Sequence, residues 1–173
     1  MQLNERDLII SFNYIDTYNR IYRKYNKVDV DFVHGKAEFN LHENNMVLGF
    51  HDDDKSNDYI HMLFAEFRKY FQRIEYGTES KHRKYLDVDG NDEKNLKDVE
   101  VYVFGHSLDV ADKDILEDIF MARNVKRITV YYHDDNSKRE KINNLEKIMG
   151  HATFIKKAYG NNAMIKFIEQ KKV

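Results

Sequence analysis

The chain has 173 residues, 42% hydrophobic and 34% charged, with a net charge of −2; this suits one folded domain with a single core and gives no general attraction to nucleic acid. It contains no cysteine, which excludes disulfides and thiolate metal sites, and no apolar run approaches the ~20 residues that span a bilayer. In the opening "MQLNERDLIISF", acidic residues precede the short apolar run, unlike a secretory signal, so a cytoplasmic location is expected.

Residues 8–12 form an apolar run the length of a buried strand. In "NYIDTYNRIYRKY" Asp16 can cap a helix carrying Tyr18, Ile21, Tyr22 and Tyr25 on one face, with Arg20, Arg23, Lys24 and Lys27 solvated. "VDVDFVHG" alternates as a strand does and stops at His34 and Gly35; "MVLGF" at 46–50 reads as another strand before the polar run "HDDDKSND". From 59 to 74, Ile60, Leu63, Phe64, Phe67, Phe71 and Ile74 follow helical spacing. A polar loop region covers about 76–98. A strand over 99–104, a helix over about 112–122 and a strand from 127 come next. Asp135 or Asn136 can cap a helix that runs to Met149 and ends at Gly150. For 151–173 a hairpin turning at Gly160, Asn161 and Asn162 is expected, with a helix followed by a strand as the alternative.

Strands alternating with helices predict an α/β fold, a mainly parallel sheet with flanking helices, in a single domain over 1–173. Ligands bind such sheets outside the carboxyl ends of the strands. Three strand ends carry polar residues: Asn13, Tyr14 and Asp16; His34 and Gly35; and Gly105, His106, Ser107 and Asp112. They are expected to gather on one sheet edge. Singly, each has an ordinary structural role: Asp16 and Asp112 as helix caps, Asn13 in a turn, the glycines at positive φ, a histidine packed at a strand end. Together they suit a nucleotide or ribose derivative. A glycine admits a ligand to the backbone, helix N-termini favour anions, a histidine moves protons near neutral pH, and an asparagine orients a water or sugar hydroxyl without adding charge.

"ISFNYIDTYNRIY", "VDFVHGK", "MVLGF", "EFRKYFQRI", "VYVFGHSLDVADKDILEDIF" and "RITVYYHDD" together resemble the AbiH-type bacteriophage abortive-infection family, and the string from Gly105 to Leu116 is the most specific of them. AbiH-type domains are in turn distantly similar to sirtuins, a Rossmann-like fold. The resemblance implies antiviral defence through a nucleotide-binding cleft, with NAD or a related nucleotide as cofactor and hydrolysis of its nicotinamide–ribose bond as the activity. On that basis Asn13 positions the ribose or the attacking water, Asp16 holds the amide end of the cofactor or orders its loop, and His34 acts as base on the ribose hydroxyls. Gly35 belongs to the same His-Gly pair. Gly105 and Ser107 lie against the ribose-phosphate, with His106 and Asp112 beside them. The family pattern opens with a strand and a glycine-rich phosphate loop. The first glycine here is Gly35, so the chain is expected to match the carboxyl-terminal portion of the pattern, lacking that strand and loop.

Two other readings stand beside this one. His51, Asp52, Asp53, Asp54 and Asp58, or His133, Asp134 and Asp135, could hold a cation, and a meeting of His34, His106 and His133 would suit a metal-dependent nuclease; the acidic stretches read more simply as solvated loops and caps, and no metal centre is expected. The 12 tyrosines and 11 phenylalanines, concentrated in "YIHMLFAEFRKYFQRI", also suit an interaction module that forms a homo-oligomer or pairs with a complementary chain. No membrane partner is expected.

Overall fold

The apolar run near the amino terminus becomes β1 (Leu8–Ser11), which lies parallel to β2 (Asp29–Phe32) with Leu8 opposite Asp29 and Ser11 opposite Phe32. Between them is α1 (Thr17–Ile21). These coordinates are a computed structural model describing residues 3–22, 27–40, 42–49, 64–78, 80–90 and 96–171. The chain divides into two compact units, Met1–His82 and Arg83–Val173.

In the first unit, residues 46–49 do not form the expected strand. Their apolarity has another cause: Val47 is fully buried, its amide donates to the His34 carbonyl at 2.9 Å, and its carbonyl accepts from the Tyr14 hydroxyl at 2.8 Å. Residue 50, the acidic run at 51–54, Asp58 and the start of the helix expected from 59 lie outside the described residues. The rest of that helix is divided. A 3-10 turn (Ala65–Phe67) meets an extended Arg68, and only then does α2 (Lys69–Tyr76) begin, ending at Gly77 in the left-handed region. The backbone at Gly49 lies against Phe67, Arg68 and Lys69, so tertiary contact overrides the helical periodicity there. A second 3-10 turn spans Lys81–Lys84.

The second unit holds three parallel strands in the order β3 (Val99–Val103), β4 (Val125–Tyr132) and β5 (Ile165–Glu169). A 3-10 turn (Val110–Asp112) and α3 (Lys113–Met121) join β3 to β4; α4 (Asp135–Met149) and α5 (His151–Ala158) join β4 to β5. The expected hairpin at 151–173 is therefore corrected to a helix followed by a strand. A turn does fall at Gly160, with φ +99°, but it links α5 to β5. Phe154 on α5 and Ile165 on β5 are both buried, and β5 completes the open edge of β4.

Successive crossovers that step in one direction place their helices on one face of a sheet. The register puts Val103, Ile128, Val130 and Ile165 on one face, and all four are buried. The opposite face carries exposed Glu100, Tyr102, Arg127, Lys166 and Ile168 around Thr129, which is 4% exposed. Continuing the alternation, exposed Phe104 stacks on Tyr131 with ring centroids 4.1 Å apart. The α/β class and the parallel strands are as expected; the three polar strand ends, however, belong to two sheets rather than one edge. Among the described residues no helix is long and apolar enough to cross a membrane.

Candidate functional site

At the end of β3 the chain turns through Gly105 at φ +64°, and a Cβ built there would meet nothing within 4 Å. This glycine leaves the backbone open. The loop behind it is held firmly. His106 Nδ1 accepts from the Leu108 amide at 2.9 Å, so a neutral ring carries its hydrogen on Nε2, which faces Asp112 Oδ2 at 3.5 Å. Leu108 takes φ +61°, a conformation that costs a leucine about 1–2 kcal/mol; complete burial of its side chain offsets this. Ser107 is exposed.

Asp112 stands at the start of α3, yet its side chain makes no capping bond. The sequence expectation of a helix cap is corrected here: Asp109 caps the preceding 3-10 turn by accepting from the Ala111 amide at 2.8 Å, and Asp112, 7% exposed, faces His106.

Two side chains from α4 strap the loop from beneath. Lys141 Nζ donates to the His106 carbonyl, and Asn144 Nδ2 donates to the Ser107 carbonyl at 3.3 Å. Lys141 is 5% exposed. Burial pushes its ammonium below the ordinary lysine value, against the opposing influence of Glu140. Neither residue entered the sequence reading of the site. Lys141 precedes Leu145 and Ile148 at spacings of four and seven, so a lysine sat on an otherwise apolar helical stripe.

The amino-terminal residues are placed differently. Asp16 caps α1: its carboxylate accepts from the Asn19 amide at 3.1 Å and Asn19 Nδ2 at 2.8 Å, and pairs with Lys36 at 3.3 Å. Burial raises the Asp16 carboxyl, but the Asn19 bonds and the Lys36 ammonium outweigh it and hold the group below its ordinary value. His34 is 3% exposed, with Phe12 edge-on at 5.4 Å and Tyr14 tilted at 6.3 Å. Gly35 has φ +71°, and a Cβ there would fall 1.9 Å from the Asn45 carbonyl oxygen. Its missing side chain makes room for the chain itself. Beside it Phe32, Lys36, Glu38, Glu43 and Asn45 line a recess of about 180 Å³. Asn13 is exposed, its amide on Ser11 Oγ at 3.3 Å. Behind β2 lies a pair the sequence reading missed: fully buried Asp31 accepts from the His82 backbone amide at 2.8 Å and meets His82 Nδ1 at 2.6 Å.

The structure thus brings Gly105, His106, Ser107 and Asp112 into one loop and its helix start, and Asp16 onto Lys36. Among the described residues no group of three or more histidine, aspartate or glutamate side chains is placed to hold a metal ion. His133 contacts Gln170 at 3.1 Å, and Asp134 caps α4.

The model of the family described as bacteriophage abortive infection AbiH matches residues 1–134, well over half of the chain. The chain belongs to the AbiH family. Membership carries with it the defence against bacteriophage by abortive infection for which AbiH proteins are described. Comparisons with curated proteins and with solved structures give no match for this AbiH chain. The family match ends at Asp134, so it includes β3, the Gly105–Asp112 loop, α3 and β4 but not α4, which supplies Lys141 and Asn144.

Proposed function

We propose that this AbiH protein acts in abortive infection by binding a nucleotide, NAD or a related ADP-ribose-bearing molecule, at the loop that follows β3. One observation carries the reading: the open backbone at Gly105 adjoins an exposed Ser107 and the His106–Asp112 pair, at the carboxyl end of a parallel strand. Gly105 admits the ribose-phosphate, Ser107 offers a hydroxyl, and Asp112 orients the His106 ring toward a polar ligand. Hydrolysis of the nicotinamide–ribose bond is the further step implied by the sirtuin resemblance. His34, packed against Phe12 and Tyr14, and Asp16, which caps α1, have structural roles within the first unit.

Calorimetric titration with NAD and ADP-ribose tests it. Saturable binding, weakened about tenfold or more in His106→Ala and Ser107→Ala through loss of a polar contact, is expected. Absence of binding in the folded wild-type chain overturns the nucleotide reading. If hydrolysis follows binding, the wild-type chain releases nicotinamide from NAD; NAD left intact by a chain that binds it counts against hydrolysis.

A second reading, association with another chain, is favoured by the exposed aromatic face of the carboxyl-terminal sheet, where Tyr102, Phe104 and Ile168 are uncovered. Parallel sheets are ordinarily covered on both faces. A concentration-dependent mass in solution that Phe104→Glu abolishes supports it, and a monomer at all concentrations counts against self-association.

A further inference from the structure

Lys141 is more than the strap needs. A neutral amide suffices to hold this loop, as Asn144 demonstrates one turn further along α4 by donating to the Ser107 carbonyl. At Lys141 the same task is given to an ammonium that is 5% exposed and donates to the His106 carbonyl. Among the described residues no carboxylate forms an ion pair with it: Asp112 faces His106, and Glu140 acts only at longer range. A buried cation without an anion is costly unless a charged partner arrives. Above it, the amides of Gly105 and Ser107 donate to no acceptor among the described residues, and the Cα of Gly105 is open. Successive backbone amides in a turn conformation form an anion-binding concavity, and cationic charge nearby adds to the attraction.

We propose that Lys141 makes the Gly105–Ser107 loop a phosphate-binding site. The ammonium supplies the charge from below, one carbonyl away from the loop surface, and the loop amides and the Ser107 hydroxyl supply the hydrogen bonds. The proposal rests on the nucleotide reading for its place in the fold and adds the chemistry: the group recognised there is the phosphate, and the recognising charge comes from α4. Binding of an anion also stabilises the protonated amine, which burial disfavours.

The test uses the full chain with inorganic pyrophosphate, ADP-ribose and phosphate-free adenosine as probes, read by calorimetry at two salt concentrations. Two neutral variants separate charge from strap. Lys141→Gln keeps an N–H for the His106 carbonyl, and Lys141→Met removes both; circular dichroism establishes that each is folded. Pyrophosphate binding that weakens with salt, falls at least tenfold in Lys141→Gln and persists in Lys141→Arg is the expected result. Equal pyrophosphate affinity in wild type and a folded Lys141→Gln overturns the proposal, as does absence of pyrophosphate binding to wild type. ADP-ribose binding that pyrophosphate does not displace and Lys141→Gln does not weaken overturns it while leaving the nucleotide reading intact. Pyrophosphate bound through Lys141, with ADP-ribose no tighter than pyrophosphate, upholds the phosphate site and overturns the nucleotide reading.

Discussion

Two glycines at strand ends look alike in the sequence and behave differently in the structure. Both hold positive φ, but a Cβ at Gly35 would collide with the Asn45 carbonyl whereas one at Gly105 meets open space. Gly105→Ala should therefore lose about 1–2 kcal/mol, the conformational cost alone. Gly35→Ala adds a backbone clash and should lose clearly more; urea unfolding of both variants checks the order. Asp16 and Lys36 make an acid–base prediction. The folded carboxyl titrates below its ordinary 3.8, so its stabilisation is present above that value and lost as pH falls through the lower folded value. The Lys36 ammonium is opposed by burial but raised above 10.5 by Glu38 and Asp16; its contribution is full below 10.5 and lost as pH rises through the folded value. Asp16→Asn should flatten the fall in urea midpoint below pH 3.8; an unchanged acid limb would mean that the contacts around Asp16 contribute little.

Among the elements, α4 joins local signals to tertiary purpose. Asp134 accepts from the Ser137 amide at 2.8 Å, one residue ahead of the cap expected from the sequence, and Gly150 closes the helix as expected. Asp134→Ala should destabilise the protein by about 1 kcal/mol, measured by thermal or urea unfolding. The buried stripe of the same helix delivers Lys141 to the β3 loop. On α3, Phe120 is 1% exposed; Phe120→Ala should cost about 3–5 kcal/mol. Phe104→Ala removes a half-exposed ring whose main partner is Tyr131 and should cost far less. The comparison separates the covered face of the sheet from the bare one.

At the scale of the whole molecule, the described strands differ in how they are covered. β4 is flanked by strands on both edges and contributes completely buried Ile128 and Val130; among the described residues β1 pairs with β2 alone, and its residues are all part-exposed. Stability is distributed accordingly. The amides of Ile128 and Val130 should be among the slowest to exchange with deuterium, and those of β1 measurably faster. Equal protection in both sheets would show that the units unfold as one. The candidate residues divide along the same line. Asn13, Asp16, His34 and Gly35 belong to the first unit, and Gly105, His106, Ser107 and Asp112 to the second.

By itself the sequence determined the α/β class, the positions of β1 to β4 and of α3 and α4, and the turn at Gly160, because hydrophobic periodicity and capping residues are local signals. The family resemblance was equally legible, carried by ordered strings such as that from Gly105 to Leu116. Tertiary structure decided the rest. It broke the aromatic helix at Arg68, made residues 151–158 a helix, turned Asp112 from a cap into a partner of His106, and filled the space at Gly35 with Asn45. It also assigned the three polar strand ends to two sheets and brought Lys141 beneath a loop 35 residues earlier in the chain. Each outcome depends on a partner distant in sequence, and one-dimensional spacing records the character of a side chain without naming the group that will lie against it.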